Sequence, residues 1–357
     1  MKLKRINPQT RKSFTTYAIM LIAFAVVQIF IATDNITSML KDLLVPLCVY
    51  SILAVSLNLT VGILGELSLG QAGFMCIGAY VSSIFSITVL QSITQSAVRF
   101  PLALLIGGLV SALFGVLIGI PVLRLRGDYL AIVTLAFGEI MKNVCGSIYL
   151  GYDSNGIHMS LKSMGDLNLE ADGKVIMNGA LGISGTPHDS SFIIAFVILM
   201  ITLIVSYNFV YSRTGRAVRA VRDNRIAAES TGIHIQKYKL ITFAVTAFFA
   251  GVAGALYSHN FSTLQSSKFD YTLSITILVF VVLGGIGNIR GSVIAAVILT
   301  LLPELLRSIN NYRMLIYSVI LIVMMIVKSN AAIQGRIKSF SEKIRLKFRS
   351  GKAKEAE

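Results

Sequence analysis

Ten apolar stretches, each near the length that crosses a bilayer, leave this chain little freedom in what it can fold into. They run roughly over 16–32, 43–62, 68–90, 100–123, 129–149, 191–211, 240–257, 272–289, 291–309 and 313–328. A membrane helix needs about 20 mostly apolar residues. Inside hydrocarbon every backbone polar group must find its partner within the segment, as a helix provides. The expected fold is therefore all-α, a polytopic transmembrane helical bundle of about ten spans. With 55% hydrophobic and only 14% charged residues, an ordinary soluble enzyme, a disordered chain and a disulfide scaffold are excluded.

Charge placement sets the topology. The net charge is +15, from 32 Lys+Arg against 17 Asp+Glu. On a soluble protein this would suggest nucleic acid. Here the basic residues cluster between apolar stretches and at both ends, so no nucleic-acid partner is expected. Five precede the first stretch (Lys2, Lys4, Arg5, Arg11, Lys12), and Arg124 and Arg126 follow the fourth. Seven lie in 212–239 and eight in 336–357. Segment 150–190 instead carries five acids (Asp153, Asp166, Glu170, Asp172, Asp189) against two lysines. Ten spans place all four basic segments on one side, so both termini are expected to be cytoplasmic. Residues 1–15 then form a basic cytoplasmic N-terminus and 16–328 the transmembrane domain. Within it, 150–190 is an external loop and 212–239 a cytoplasmic one, and 329–357 is a basic tail expected to touch anionic lipid. Ala32-Thr33-Asp34 is a poor cleavage site, so the first stretch reads as a retained helix rather than a signal peptide.

Several chemistries are missing from the sequence. It contains no G-x-x-x-x-G-K-[ST], no H-E-x-x-H and no G-x-S-x-G. Cys48, Cys76 and Cys145 lie inside apolar stretches and read as reduced core residues. The four histidines fall outside the spans, where a solvated ring is the expectation. Charged residues within apolar segments are few, chiefly Glu66, Glu139 and Glu304. An ion-coupled carrier buries several such groups along its route, so secondary transport and an intramembrane enzyme both lose ground.

Two glycine-rich stretches interrupt the spans. One runs from Gly65 through Ser68, Gly70 and Gln71 to Gly73, and the other from Gly284 through Gly285 and Gly287 to Gly291. Glycine at membrane depth permits close helix packing or a broken helix lining a cavity. The loop between the sixth and seventh stretches is different in kind. Residues 216–230 lack Gly and Pro, and Arg216, Arg219, Arg222 and Arg225 recur every three residues beside a small apolar face of Ala217, Val218, Val221 and Ala228. Gly232 then suits a C-cap. Such an amphipathic helix pair fits either a soluble partner with an acidic groove or the membrane surface.

Four of these stretches together resemble a known family. Gly65–Tyr80, Leu125–Ile140, Gly215–Ile233 and Leu283–Leu306 are similar, in order and spacing, to the LivM-type inner-membrane permeases of binding-protein-dependent branched-chain amino acid ABC transporters. The resemblance covers roughly 40–325. It implies a transport subunit rather than an enzyme, forming a pathway for leucine, isoleucine and valine in the bacterial inner membrane. It also implies a second related permease (LivH type), two cytoplasmic ATPase subunits and an extracytoplasmic binding protein. ATP and magnesium would be bound by the ATPases and no cofactor by this chain. Arg216, Arg219, Arg222, Ala227, Ala228, Glu229 and Gly232 match the loop that contacts the ATPase. Ser68, Gly70, Gln71, Thr134, Glu139, Gly284, Gly285 and Gly287 are candidates for the pathway. A permease for urea, short amides or a sugar is the alternative. The chain departs from the family at Gly291-Ser292, where Gly-Pro is frequent, and at Leu161–Val175, which is poorer in Gly and Pro.

Overall fold

A computed structural model describes residues 8–33, 37–89, 95–125, 127–153, 156–167, 173–307 and 312–329. Lys2, Lys4, Arg5, Arg126, Glu170, Asp172 and the basic tail from 330 lie outside the described residues. Each of the ten apolar stretches holds a helix: α1 (Pro8–Ala32), α2 (Ser38–Asn58), α3 (Gln71–Val89), α4 (Ser96–Val122), α5 (Asp128–Ser147), α6 (Phe192–Tyr211), α9 (Ile235–Ser258), α10 (Tyr271–Gly284), α11 (Ile289–Leu305) and α12 (Arg313–Ser329). Two short helices, α7 (Arg213–Asp223) and α8 (Arg225–Ser230), occupy the basic loop. Among the described residues, six helices are long and apolar enough to cross a membrane: α2 with its extension to Leu64, α3, α4, α5, α6 and α9. Shorter apolar stretches fall in α1, α10 and α12. The chain is a mostly helical, multi-pass membrane protein.

Two compact units divide it, Met1–Val297 and Ile298–Glu357. The second comprises the last turns of α11 together with α12, and in it Glu304 pairs with Arg307 at 3.0 Å. The rest of the description concerns the first unit.

Apolarity alone does not say which helix is central. The apolar window of α4 is more hydrophobic than that of α2, with mean hydropathy 2.5 against 2.1, yet only 39% of it is buried against 89%. The difference lies in where polar groups sit. Along α4 the leucines at 102, 105, 109, 113 and 117 form an exposed stripe at helical spacing, suited to lipid contact. α2 and its extension instead carry Ser51, Ser56, Asn58 and Thr60, all fully buried. Ser51 is satisfied within its own helix, but Ser56, Asn58 and Thr60 meet Gln71, Ser292 and Thr246 of other helices, which holds α2 in the middle. Small residues close the α3–α4–α9 cluster. Ser111 on α4 donates to the Phe74 carbonyl of α3 (3.1 Å) and the Ala247 carbonyl of α9 (2.8 Å). A Cβ at Gly115 would sit 2.6 Å from that of Ala247.

Segment 148–191 is not the irregular loop that an all-α reading expects. It forms four short strands, β1 (Tyr149–Asp153), β2 (Gly156–Ser160), β3 (Lys174–Asn178) and β4 (Ile183–Ser184). A fifth, β5 (Thr263–Leu264), follows α9, and the antiparallel order is β2-β1-β3-β4-β5. Strands this short carry no periodic apolar signal of their own; backbone pairing to neighbours defines them. Between β4 and α6, Asp189 forms a buried ion pair with Arg99 of α4 at 2.6 Å, with 9% and 3% exposure. His259, just past α9, is fully buried rather than solvated. Its Nδ1 faces the Ala255 carbonyl at 2.8 Å, which can only accept, so Nδ1 carries the proton. Nε2 then accepts from the Ser86 hydroxyl at 2.7 Å. Burial pushes the His259 pKa below the ordinary histidine range, outweighing the Ala255 carbonyl and Asp189, which pull it up.

Candidate coupling site and translocation pathway

The helical winding of α2 changes before it ends. Leu59–Leu64 forms a π-helical turn, closed by Gly65 with φ +79°. Residues 65–70 are non-helical, and α3 begins only at Gln71. The sequence allows this because Gly62 and Gly65 lack Cβ atoms where other chain segments press in. A Cβ on Gly62 would collide with Asn58 Oδ1 and the Gly287 backbone nitrogen, and one on Gly65 would sit 2.6 Å from Arg222 Cγ. π turns are uncommon and concentrate at functional sites.

The pathway candidates fall at three places beside α10. Around the start of α3, the Leu69 N–H donates to Thr134 Oγ1 (3.0 Å), Gln71 Nε2 donates to Ser56 Oγ, and the Ala72 N–H donates to Ser274 Oγ of α10 (3.0 Å). Gly70 fits closely beneath Thr134, since a Cβ there would lie 2.8 Å from the Thr134 carbonyl oxygen. Ser68 is buried in the same segment. Ser68, Gly70, Gln71 and Thr134 are thus brought together, and the polar partners of Gln71 and Thr134 hold the broken backbone in place.

Glu139 lies apart from them, at the N-terminus of α10. One of its oxygens accepts from the Tyr271 N–H (2.8 Å), a favourable place for a carboxylate. The other pairs with Lys142. At the far end of α10, Gly284, Gly285 and Gly287 form a tight hairpin into α11. Gly285 has φ +104° and Gly287 φ +80°. At Gly284 a Cβ would run into Gly291 and Ser292. Asn58 fastens this hairpin to α2: its Oδ1 accepts from the Gly287 N–H (2.8 Å), and its Nδ2 donates to Ser292 Oγ (2.7 Å). The departure from Gly-Pro therefore has a structural correlate, since Ser292 supplies a hydroxyl, fully buried, that proline lacks.

The basic loop forms the expected pair of helices. The chain breaks at Asn224 (φ −154°, ψ 107°), whose side chain caps α8 by accepting from the Ala227 N–H at 3.0 Å. Val218, Val221 and Ala228 are buried, and Val221 and Ala228 pack with Ile235 of α9. Gly232 closes α8 with φ +82°, and the Ile233 N–H bonds back to the Ala228 carbonyl (3.1 Å).

Arg216, Arg219 and Arg222 of α7 turn back onto the body of the protein. Arg216 donates to the Tyr211 carbonyl (3.1 Å) and Arg219 to the Val210 carbonyl (3.0 Å), both at the C-terminus of α6, where a cation is favoured. Arg222 donates to the Gly62 carbonyl in the π turn (2.9 Å). Beside it Lys239, 3% exposed, pairs with Glu66. What α8 leaves uncovered is Ile226, 82% exposed, with exposed Ala227 and Glu229. An open groove of about 730 Å³ runs beside it, lined among others by Arg225, Glu229, His234 and Lys237. Sequence reasoning missed Ile226, Asn58, Ser292 and Lys239 as a set. Ile226, alone among charged residues, and Asn58, an amide inside an apolar run, were the available signals.

Comparison with known proteins settles the family. The family described as branched-chain amino acid transport system, permease component, matches residues 39–327. The chain belongs to that family. The high-affinity branched-chain amino acid permease LivM of Salmonella typhimurium is 34% identical over 86% of this chain and 71% of its own length. LivM of Escherichia coli is 32% identical over 86% and 72%. The ribose import permease RbsC of Haemophilus influenzae is 25% identical over 84% and 86%. No solved structure matches. As a member of the permease family the chain is a transport component. Its glycine hairpin, π turn and α7–α8 loop all fall inside the matched region.

Proposed function

We propose that this permease forms the translocation pathway for branched-chain amino acids in a binding-protein-dependent ABC importer. The observation that carries the reading is the family match over 39–327 together with identity above 30% to two permeases named for these substrates. The chain is one half of a permease pair, the other half a related permease. Two ATPases hold ATP and magnesium, and a binding protein delivers substrate. This chain itself needs no cofactor. All ten apolar helices cross the bacterial inner membrane. Both termini and the α7–α8 loop are cytoplasmic, and the strand-bearing segment is external. The charge distribution supports this, with seven basic residues in 212–239 against five acids in 150–190. Residues 1–15, 16–328 and 329–357 divide as basic N-terminus, permease domain and tail.

In this mechanism α8 is the element that meets an ATPase. It presents Ile226 and Glu229, while Arg216, Arg219 and Arg222 brace the loop against α6 and α2. Ser68, Gly70, Gln71, Thr134 and the hairpin at Gly284–Gly287 shape the wall where α3 and α10 break. The Glu139–Lys142 pair is the charged group near that wall. A zwitterion with an apolar side chain needs few fixed charges there, because the binding protein supplies the selection.

The test is uptake of labelled leucine by cells lacking this gene and by the same cells complemented, with unlabelled isoleucine, valine and urea as competitors and with ATP depleted while ion gradients are held. Restored, ATP-dependent uptake that isoleucine and valine inhibit is expected. Uptake that follows the ion gradient instead would sink the ABC reading. Unchanged leucine uptake would move the substrate to another class.

A further inference from the structure

Three segments far apart in sequence converge on the carbonyl of Gly62. Arg222 of α7 donates to it at 2.9 Å. Gly287 of the α10–α11 hairpin lies against it, close enough that a Cβ there would sit 3.4 Å from the same oxygen. Asn58, one turn earlier on α2, accepts from the Gly287 N–H at 2.8 Å. Asn58 also donates to Ser292 Oγ at 2.7 Å, so a handful of individual polar bonds makes a joint of these segments.

Arg222 is fixed at both ends of this joint. Its stem crosses Gly65, where only glycine leaves room. Its Nε and Nη2 are held by one oxygen of Asp223 at 3.0 and 2.8 Å. The remaining arm, Nη1, reaches Gly62. A planar guanidinium held this way transmits displacement in a fixed direction, which a flexible ammonium does not. The segment it grips is a π turn, a winding that is uncommon and concentrates at functional sites.

We propose that Arg222 is a positioning residue, a strut through which movement of α7–α8 reaches the end of α2 and, by way of Asn58 and Gly287, the glycine hairpin. This rests on the transport reading above and adds to it the route by which the loop acts on the pathway. Coupling requires that the loop bind the resting and the driven transporter differently, and in this proposal the Arg222–Gly62 bond is the contact that changes.

The experiment uses the whole complex, with both permeases and the ATPases co-expressed, in membrane vesicles supplied with binding protein and labelled leucine. Three quantities are read: permease in the membrane, stimulated ATP hydrolysis, and uptake. Arg222→Met should reach the membrane and keep hydrolysis within about twofold. Uptake should fall about tenfold or more, the scale set by losing one charge-assisted hydrogen bond. Arg222→Lys should fall between, since an ammonium replaces the bond to Gly62 without the fork. A merely structural role would lower amount and leave the ratio of leucine imported to ATP hydrolysed unchanged, and that result overturns the strut. Hydrolysis and uptake falling together would assign Arg222 to ATPase docking, and overturns it also. If Arg222→Met fails to reach the membrane, Arg222→Lys and Asp223→Asn are judged by the same ratio. A wild-type complex with no ATP-dependent uptake would overturn the transport reading itself, and the strut with it.

Discussion

The two ends of the first unit are held by different kinds of bond. At the sheet end, five strands share a backbone ladder, and a deeply buried Arg99–Asp189 pair and His259 sit beneath it. Ladders are cooperative: no single side chain decides them. At the α7–α8 end, segments 160 and 229 residues apart meet through individual side-chain-to-backbone bonds, Arg222 to Gly62 and Asn58 to Gly287. Such joints re-form one at a time. The contrast teaches that rigidity and adjustability can coexist in one helical unit when the backbone does the holding at one end and side chains at the other.

The sharpest way to break this comparison is to remove one partner from each end's ion pair. Asp189→Asn leaves Arg99 without its buried carboxylate and should cost about 3 kcal/mol of stability. The surviving protein should still transport normally per molecule. Thermal unfolding of the solubilised complex and uptake normalised to protein measure the two parts. Glu66→Gln should cost less, about 1–2 kcal/mol, because Glu66 keeps 17% exposure. Here uptake per molecule should fall. Equal behaviour of the two variants would dissolve the distinction between the ends.

A smaller change in stability is expected at the loop tip. Ile226→Ser removes an exposed side chain and should alter stability by no more than about 0.5 kcal/mol. If α8 docks an ATPase, the same change should cut both hydrolysis and uptake about tenfold or more, as loss of an interface anchor does. Unchanged hydrolysis would move the docking contact off α8.

The mildest effect is a pH dependence confined to the sheet end. His259 is held neutral, with its folded pKa lowered. Its contribution to stability is therefore complete above the unfolded value of about 6.5 and declines as pH falls below it. Unfolding temperature should drop between pH 7.5 and 5, and His259→Gln should flatten that slope. A slope unchanged in the variant would assign the dependence to another group.

Much of this architecture was readable because membrane helices announce themselves by length and apolarity. All ten stretches became helices, and 216–230 with Gly232 became a capped helical loop. Other features were hidden for definite reasons. The π turn is written Leu-Thr-Val-Gly-Ile-Leu, an apolar run continuous with the helix before it. The strands at 149–184 are two to five residues long, too short to show alternation. Ser292 stood out as a departure, but its partner Asn58 lies 234 residues away. The arginine row was visible, while its direction was not: spacing places those residues on a helix and says nothing of the carbonyls at the ends of neighbouring helices.

One residue, Asn224, separates the two halves of the loop, ending α7 and capping α8. On its near side every arginine of α7 that was expected to reach outward is engaged with the body of the protein. Beyond it, a six-residue helix presents Ile226, the most exposed large apolar side chain of the loop. If α8 is the docking tip proposed above, a foreign α8 grafted between Asn224 and Gly232 would change the partner this chain accepts, provided the graft keeps the buried Ala228 that packs on Val221 and Ile235.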